Sequence, residues 1–345
     1  MTLHHPDPQA TPTLMRAVVY ERYGPPEVLR FRDVPRPVPG ERDVLIRIHA
    51  STVSSGDWRM RSLEVPAGFG VLVRLVAGLR RPRQPILGTE LAGTVAAVGP
   101  RVRRFRVGDA VVAFSDMAMG CHAEYACLPE DGAITAKPAN LSFAQAAALS
   151  FGGTTALHFL RRAGLRSGER LLVNGAAGAV GTAAVQLAVH AGAEVTAVCG
   201  PANAELVRSL GAAQVIDHTR TDFSLLGQSF DVILDAVGNA PLKRCRRCLP
   251  PGGRLLLVVA SLPAMLLAPL RSRLSGRRLV AGTAGGSAED LAVLAALAES
   301  GVFRPVIDRI YPFDQIIAAH RHVDAGHKRG NVVISLEALL PASEA

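Results

Sequence analysis

Cysteine is scarce in this chain, and its five residues are odd in number and widely spread, so no disulfide framework organises the fold. Long hydrophobic runs are missing too. The longest, such as residues 262–270, are short and carry prolines, well under the roughly 20 apolar residues that a membrane-crossing helix needs. The N-terminus has no basic-then-apolar leader. Together these absences give the expectation of a cytoplasmic protein with no membrane partner. Acidic residues are the minority, 29 against 38 lysines and arginines, for a formal charge of +9. That balance favours anionic small molecules, anionic surfaces or nucleic acid in general. The arginines cluster at 80–83 and 101–106, however, and short runs of this kind are ordinarily solvated surface; a nucleic-acid partner is not expected.

What is present is a globular composition, 49% hydrophobic and 19% charged, in 345 residues, enough for two domains. Residues 1–13, rich in His, Pro and Thr, read as a disordered tail. From 16 to about 137 the chain breaks into short strands (16–20, 44–50, 93–98 and 110–113) separated by Gly, Pro and Asp, the pattern of a β-rich, barrel-like unit. From about 139 helices alternate with fully apolar strands. Helices are predicted at 142–163, 179–191, 203–210 and 240–249, and strands at 170–174, 194–198, 214–216, 231–235 and 254–259. Such alternation implies a parallel sheet covered on both faces. Beyond 282 come a helix at 288–300, strands near 305–311 and 331–336, and a helix at 313–325, which return to the first unit. The expected organisation is therefore residues 14–138 with 283–345 as one domain and 139–282 as the other.

The run LLVNGAAGAVGTAAVQLA (residues 171–188) sets Gly175, Gly178 and Gly181 between a strand and a helix. Glycine allows the tight turn and lets backbone approach a pyrophosphate, which then lies at the positive end of the helix dipole. With strand, loop, helix and second strand in register, the motif predicts dinucleotide binding, with Ala176, Ala179 and Val180 in the same loop. The second strand ends Cys199-Gly200 and continues to Asn203 without a carboxylate at its tip. An acid there bonds the ribose hydroxyls of NAD and repels a 2′-phosphate, so its absence permits NADPH; Asn203, His218 and Arg208 are candidate phosphate partners.

The sequence here resembles the medium-chain dehydrogenase/reductase superfamily, in its zinc-free quinone-oxidoreductase-like branch. The resemblance runs from about Arg16 to Leu336. It is carried by RAVVYERYGPPEVL, VLIRIHASTVSSGDWRMR, PILGTELAGTVAAVG, VGDAVVAF, AEYACLPE, AAALSFGGTTAL, the glycine loop, LGAAQVIDHT, FDVILDAVG, GGRLLLV and GNVVISL. It implies an α/β protein: a GroES-like β-rich catalytic domain plus a doubly wound Rossmann domain with a parallel sheet. It also implies reduction of quinones or α,β-unsaturated carbonyls by NADPH. Thr155 would approach the nicotinamide or diphosphate, Val237 and Val259 would line the nicotinamide face, and family members commonly dimerise near residues 279–282.

Zinc-dependent members carry Cys three residues before the Asp matching Asp57 and His just before the Glu matching Glu90. Here those positions are Ser54 and Thr89, poor ligands for Zn²⁺, and the four-cysteine structural lobe is missing. Cys121 and Cys127 read as packing residues, and Cys245-x-x-Cys248 lacks a second ligand pair. His49, His158, His190, His320, His322 and His327 read as surface histidines. No metal is expected. Ser54 is the candidate hydrogen-bond donor to a substrate carbonyl, Asp57 orients it or only caps a turn, and water is left as the proton source. The segments 66–84 and 261–276 are apolar without a core role; they wall a pocket for a small hydrophobic carbonyl or quinone, or pack elsewhere. Two other readings stay open: a non-catalytic NADPH-binding protein with a structural or RNA-binding role, and a zinc alcohol dehydrogenase. Glu90, set in the apolar stretch LGTELAGTV, is expected to accept hydrogen bonds from backbone or an arginine and to fix the turn leading into Gly93.

Overall fold

A computed structural model describes residues 13–339; apart from Thr13, the tail expected at 1–13 lies outside the described residues. The chain opens with an antiparallel ribbon of β1 (Leu14–Tyr20) and β2 (Leu29–Pro35). Next come β3 (Asp43–Val53), α1 (Ser55–Ser62), α2 (Gly70–Ala77), β4 (Glu90–Val98), β5 (Ala110–Phe114), β6 (Tyr125–Pro129) and β7 (Ile134–Ala136). Helices α3 (Phe143–Ala147) and α4 (Ser150–Ala163) lead into β8 (Arg170–Asn174), α5 (Ala179–His190), β9 (Glu194–Cys199), α6 (Ala204–Ser209) and β10 (Gln214–Asp217). Then follow β11 (Val232–Asp235), α7 (Leu242–Cys245), β12 (Arg254–Leu257), α8 (Leu262–Leu266), α9 (Ala268–Ser275) and β13 (Arg278–Ala281). The chain closes with α10 (Ala288–Glu299), β14 (Ile307–Pro312), α11 (Ile316–Asp324) and β15 (Asn331–Ser335).

The strands between 170 and 281 form one six-stranded parallel sheet, in the order β10-β9-β8-β11-β12-β13. Counted from β8 this is 3-2-1-4-5-6, the doubly wound order whose reversal lies between β8 and β11 and whose ligands lie beyond the strand carboxyl ends. Its apolar strands serve two cores. Leu171 and Val173, Val232 and Leu234, and Leu256 face one cluster with α4, α5 and α10. Leu172, Ile233, Leu255 and Leu257 face the other with Phe223 and Phe230. Period-2 alternation between two buried faces is what the continuous apolar runs encode.

The second sheet runs β14-β15-β3-β4-β5-β7, with β6 also paired to β3. The C-terminal β15 pairs antiparallel with β3, Val332 opposite Val53. Ile46, Ile48, Val95, Val111 and Ile334 fill its core. Gly93 lets β4 cross β3 closely, since a Cβ there would sit 2.0 Å from the Arg47 carbonyl oxygen.

Two of the predicted helices differ from expectation. The helix predicted over 142–163 is two helices. The helix predicted over 240–249 is regular only from Leu242 to Cys245, bounded by Pro241 and the Pro250-Pro251-Gly252 turn, where proline and glycine interrupt the helical backbone.

Candidate active site

Strand β8 ends at Asn174 and the chain turns through Gly175 in the left-handed region, φ +82°. A Cβ at Gly175 would lie 2.6 Å from Val237, and one at Gly181 would lie 2.1 Å from the Gly175 carbonyl oxygen. Around Gly178, by contrast, only the Gly175 carbonyl oxygen comes near, at 3.7 Å. Gly175 and Gly181 thus allow close packing, while part-buried Gly178 leaves room beside the backbone at the start of α5. Ala176, Ala179 and Val180 share this turn, and Gly178 also bridges to Gly330. Thr155 is on α4, part-buried, and α4 lies close against α5: a Cβ on Gly152 would meet the Ala179 carbonyl oxygen at 2.5 Å. Val237 sits beside Gly175, and Gly238 lies against Val259, so the glycine loop and the two apolar residues make one contiguous surface.

Asp235 builds that surface from below. Its carboxylate accepts N–H groups from Val237, Gly238 and Ala240, and the Asn174 amide besides. The sequence reading did not single it out; an acid closing an apolar strand just before Ala-Val-Gly was the available signal.

At the neighbouring strand end Cys199 is buried, and the His218 N–H bonds its carbonyl oxygen. The His218 ring edge comes 3.7 Å from where a Gly200 Cβ would be, and the Asn203 side-chain oxygen is buried without a partner among the described residues. These four residues come together at one edge. The structure adds Asp217, which the sequence did not place there: it pairs in register with Cys199. Its carboxylate is turned to Thr219 and Arg220, and the Thr219 hydrogen bonds hold it below the usual carboxylate range.

Across the cleft, Ser54 caps α1 in a reciprocal box. Its Oγ accepts N–H bonds from Gly56 and Asp57, and its own N–H and O–H go to the Asp57 carboxylate at 2.8 and 2.7 Å. The other Asp57 oxygen accepts the Gly88 N–H at 2.8 Å. Asp57 therefore both orients Ser54 and caps the helix. The Ser54 hydroxyl proton is already committed to it, which leaves Ser54 no free donor in this arrangement. Two buried hydroxyls, on Thr89 and Ser150, have no partner among the described residues.

Glu90 is fully buried. One carboxylate oxygen accepts the Thr52 hydroxyl, and the other accepts the Phe151 N–H in the first turn of α4. No arginine takes part. Nor is there a turn between Glu90 and Gly93, because both lie in β4. The turn it fixes is the break between α3 and α4: α4 has no side-chain cap of its own, and the distant carboxylate takes up an orphan N–H at the positive end of the helix. Burial pushes the Glu90 carboxyl up to about 7, against the Phe151 and Thr52 hydrogen bonds and the Lys328 charge, which pull it down. Burial likewise lowers Lys328 to about 8, with Glu90 and Asp308 opposing; its ammonium donates to the Gly330 carbonyl oxygen at 2.6 Å, beside the glycine loop.

Between the two sheets lies a cavity of about 340 Å³. Trp58 and Arg59 of α1 and the 64–67 loop line one side, Gly238 and Val259–Ser261 the other. The segments 66–84 and 261–276 meet at its rim, where the Leu262 N–H donates to the Ala67 carbonyl oxygen. A larger apolar concavity of about 660 Å³, near Met15, Phe114 and Leu128, contains none of the predicted site residues.

The histidine expectation needs correction. His320 is fully buried, edge-on to His122, its Nδ1 3.4 Å from the Arg61 guanidinium. His49 is also buried and stacks on Phe143. His320 lies on the inward face of the amphipathic α11, and His49 on β3, which is buried almost throughout. His322 is half-buried, pairing with Asp308 and Tyr311, while His190 and His327 are exposed. Among the described residues, no three His, Cys, Asp or Glu side chains gather as a set able to hold a metal ion. Cys121, Cys245 and Cys248 are buried, and burial pushes their thiols up to about 12, 12 and 11, far from reactive thiolate character.

Comparison with known proteins gives a consistent family. A family model described as an alcohol dehydrogenase GroES-like domain matches residues 40–139, and one described as a zinc-binding dehydrogenase matches residues 210–334. The second match contains neither Ser54 nor Thr89. The chain is 33% identical over 330 residues to a quinone oxidoreductase of Sus scrofa, covering 92% of this chain and 95% of that one. It is 32% identical to a 2-methylene-furan-3-one reductase of Solanum lycopersicum, covering 94% and 79%. Among solved structures, a quinone oxidoreductase from Coxiella burnetii superposes with a TM-score of 0.83 at 30% identity, over 94% of this chain and all of that one.

Proposed function

Because the chain belongs to the medium-chain dehydrogenase/reductase superfamily, in its quinone-oxidoreductase-like branch, and is an NAD(P)H-dependent oxidoreductase, we propose that it reduces quinones or α,β-unsaturated carbonyls with NADPH and without zinc. The observation that carries this reading is the contiguous surface of glycine loop, Val237 and Val259, facing Trp58 and Arg59 across the small cleft.

The residues fit a dinucleotide. The room beside Gly178 suits a pyrophosphate at the start of α5, and the Asn203 side-chain oxygen, without a partner among the described residues, suits a ribose hydroxyl. Gly175, Ala176, Ala179, Val180 and Gly181 shape that cradle. Cys199, Gly200, Asn203 and His218 border the adenosine ribose. NADPH rather than NADH is supported by the β9 tip itself, where Cys199 to Asn203 carry no carboxylate. When bound, the reduced nicotinamide supplies the hydride. Val237, Val259 and Thr155 set the ring against the substrate and keep water out, so that the acceptor is held at reacting distance.

A zinc ion does not fit. At the positions where relatives place ligands stand Ser54, committed to Asp57, and Thr89, a neutral hydroxyl, neither a thiolate nor an imidazole. Ser54 and Asp57 act in this proposal as a positioning pair that fixes α1 and, through Gly88, the Thr89 backbone. The Thr89 hydroxyl is buried, without a partner among the described residues and outside the cleft lining, so no side-chain donor to the substrate carbonyl is assigned, and water supplies the proton. The open edge of β13 supports a homodimer.

Oxidation of NADPH and NADH measured against a panel of quinones and enones, with metal content determined on the same sample, tests the reading. Acceptor-dependent NADPH oxidation by zinc-free protein is expected. Stoichiometric zinc overturns the zinc-free part, and tight NADPH binding without turnover of any acceptor favours a non-catalytic role.

A further inference from the structure

The two segments at the rim of the cleft do not bury their apolar side chains. Helix α2 has no buried residue, and Val71, Leu75 and Leu79 are each more than half exposed. Helices α8 and α9 follow one another with only Leu267 between them, and Leu266, Leu270 and Leu274 recur every four residues, each again more than half exposed. Side chains at that spacing share one helix face. The two segments touch at their starts, where a Cβ on Gly68 would lie 2.9 Å from Leu262. Exposed apolar surface gathered in this way marks an interaction site rather than scattered surface leucines.

The charge around these helices says what covers them. Residues 65–89 contain four arginines and no acid, and residues 236–288 contain nine basic residues and no acid. Arg80, Arg81, Arg271 and Arg273 are exposed and make no ion pair among the described residues. A second copy of this chain is disfavoured as occupant: a two-fold contact sets the same patch against itself, and here that sets arginine against arginine. Apolar side chains flanked by arginines instead match an anionic lipid bilayer, whose headgroups attract the cations while its acyl boundary takes the leucines.

We propose that the face built by α2, α8 and α9 docks this protein on anionic membrane surfaces. No helix of the described residues is long and apolar enough to cross a bilayer, and the proposed mode is lying on its surface. In this pose the 340 Å³ cleft, lined by residues 64–67 and 259–261 just ahead of α2 and α8, opens toward the bilayer. A lipophilic quinone would then enter without crossing water. That last consequence rests on the proposed quinone reading; the docking does not, and it is read without turnover.

The test is flotation of the full chain with vesicles of neutral phosphatidylcholine, or of phosphatidylcholine containing phosphatidylserine, at low and high salt. Binding is expected on the phosphatidylserine vesicles, weak on neutral ones and reduced by salt. The double variant R271E/R273E should lose at least about five-fold in partitioning for each arginine reversed, and L270E/L274E should lose a comparable amount while keeping the wild-type melting temperature and NADPH affinity. Absence of flotation of the wild-type chain with phosphatidylserine vesicles at low salt overturns the proposal. So does flotation insensitive to both double variants, and so does a self-associated wild-type chain that L270E/L274E dissociates without any effect on lipid, which assigns the face to a second copy.

Discussion

Replacing Glu90 by Gln probes the carboxylate that joins the two halves of the cleft. The side chain is fully enclosed, and burial raises its carboxyl from the ordinary 4.5 to about 7. In the unfolded chain the group ionises near 4.5, so between pH 4.5 and 7 the folded state holds a proton that the unfolded state has released. Stability contributed by this group therefore falls as pH rises through that window, is not lost below 4.5, and is fully lost above 7. The displacement corresponds to roughly 3 kcal/mol, or about 4 °C in melting temperature for a chain of this length melting as one unit. Gln preserves shape and hydrogen bonding: its carbonyl oxygen accepts the Phe151 N–H, and its amide donates to the Thr52 hydroxyl, which can turn to accept. The expected result is a difference in melting temperature, E90Q minus wild type, that climbs between pH 4.5 and 7 and is flat on either side. Taking the difference cancels titrating groups that do not interact with Glu90, His320 among them; Lys328, which does, is lowered only to about 8 and titrates above this window. Scanning calorimetry across this range reads it directly. Parallel profiles for the two proteins would refute the assignment of a buried, costly carboxylate to this position.

Other perturbations read other parts of the structure. His320, whose neutral form is favoured by burial and by His122 and Arg61, has its pKa lowered well below 6.5; the unfolded chain therefore gains a proton first on acidification. Wild type should lose stability as pH falls below 6.5, and H320Q should lose less, by thermal melts at matched pH. Arg61 is fully buried and ion-paired to the part-exposed Asp324 at 2.5 Å. R61M should cost about 3 kcal/mol, the lower end for breaking a buried pair because water reaches Asp324, seen as a lower denaturation midpoint. D57N removes the carboxylate that accepts from Ser54 twice and from Gly88, and should cost roughly 2 kcal/mol with a fall in kcat larger than any rise in KM for cofactor. G175A places a Cβ 2.6 Å from Val237 in a left-handed turn; NADPH fluorescence titration should show at least about a ten-fold weaker Kd.

The alternation of apolar strands with helices after residue 139, and the glycines at 175, 178 and 181, were legible in the sequence because both are local. Backbone periodicity and the need for a residue without Cβ are written within one strand-turn-helix unit. The parallel sheet, its two covered faces and the loop at the start of α5 follow from them. The identity of the residues at positions 54 and 89 was legible in the same way. What the chain order hides is which distant groups meet. Glu90 finds Thr52 and Phe151, 38 and 61 residues away, and so caps a helix instead of shaping its own strand. His320, on a helix with polar neighbours, is driven inward against His122 and Arg61. Asp217 reaches the Cys199 strand end only through parallel pairing of β9 and β10. Burial and partnership arise from packing between elements, and a side chain's ionisation follows from them, so these decisions belonged to the tertiary structure alone.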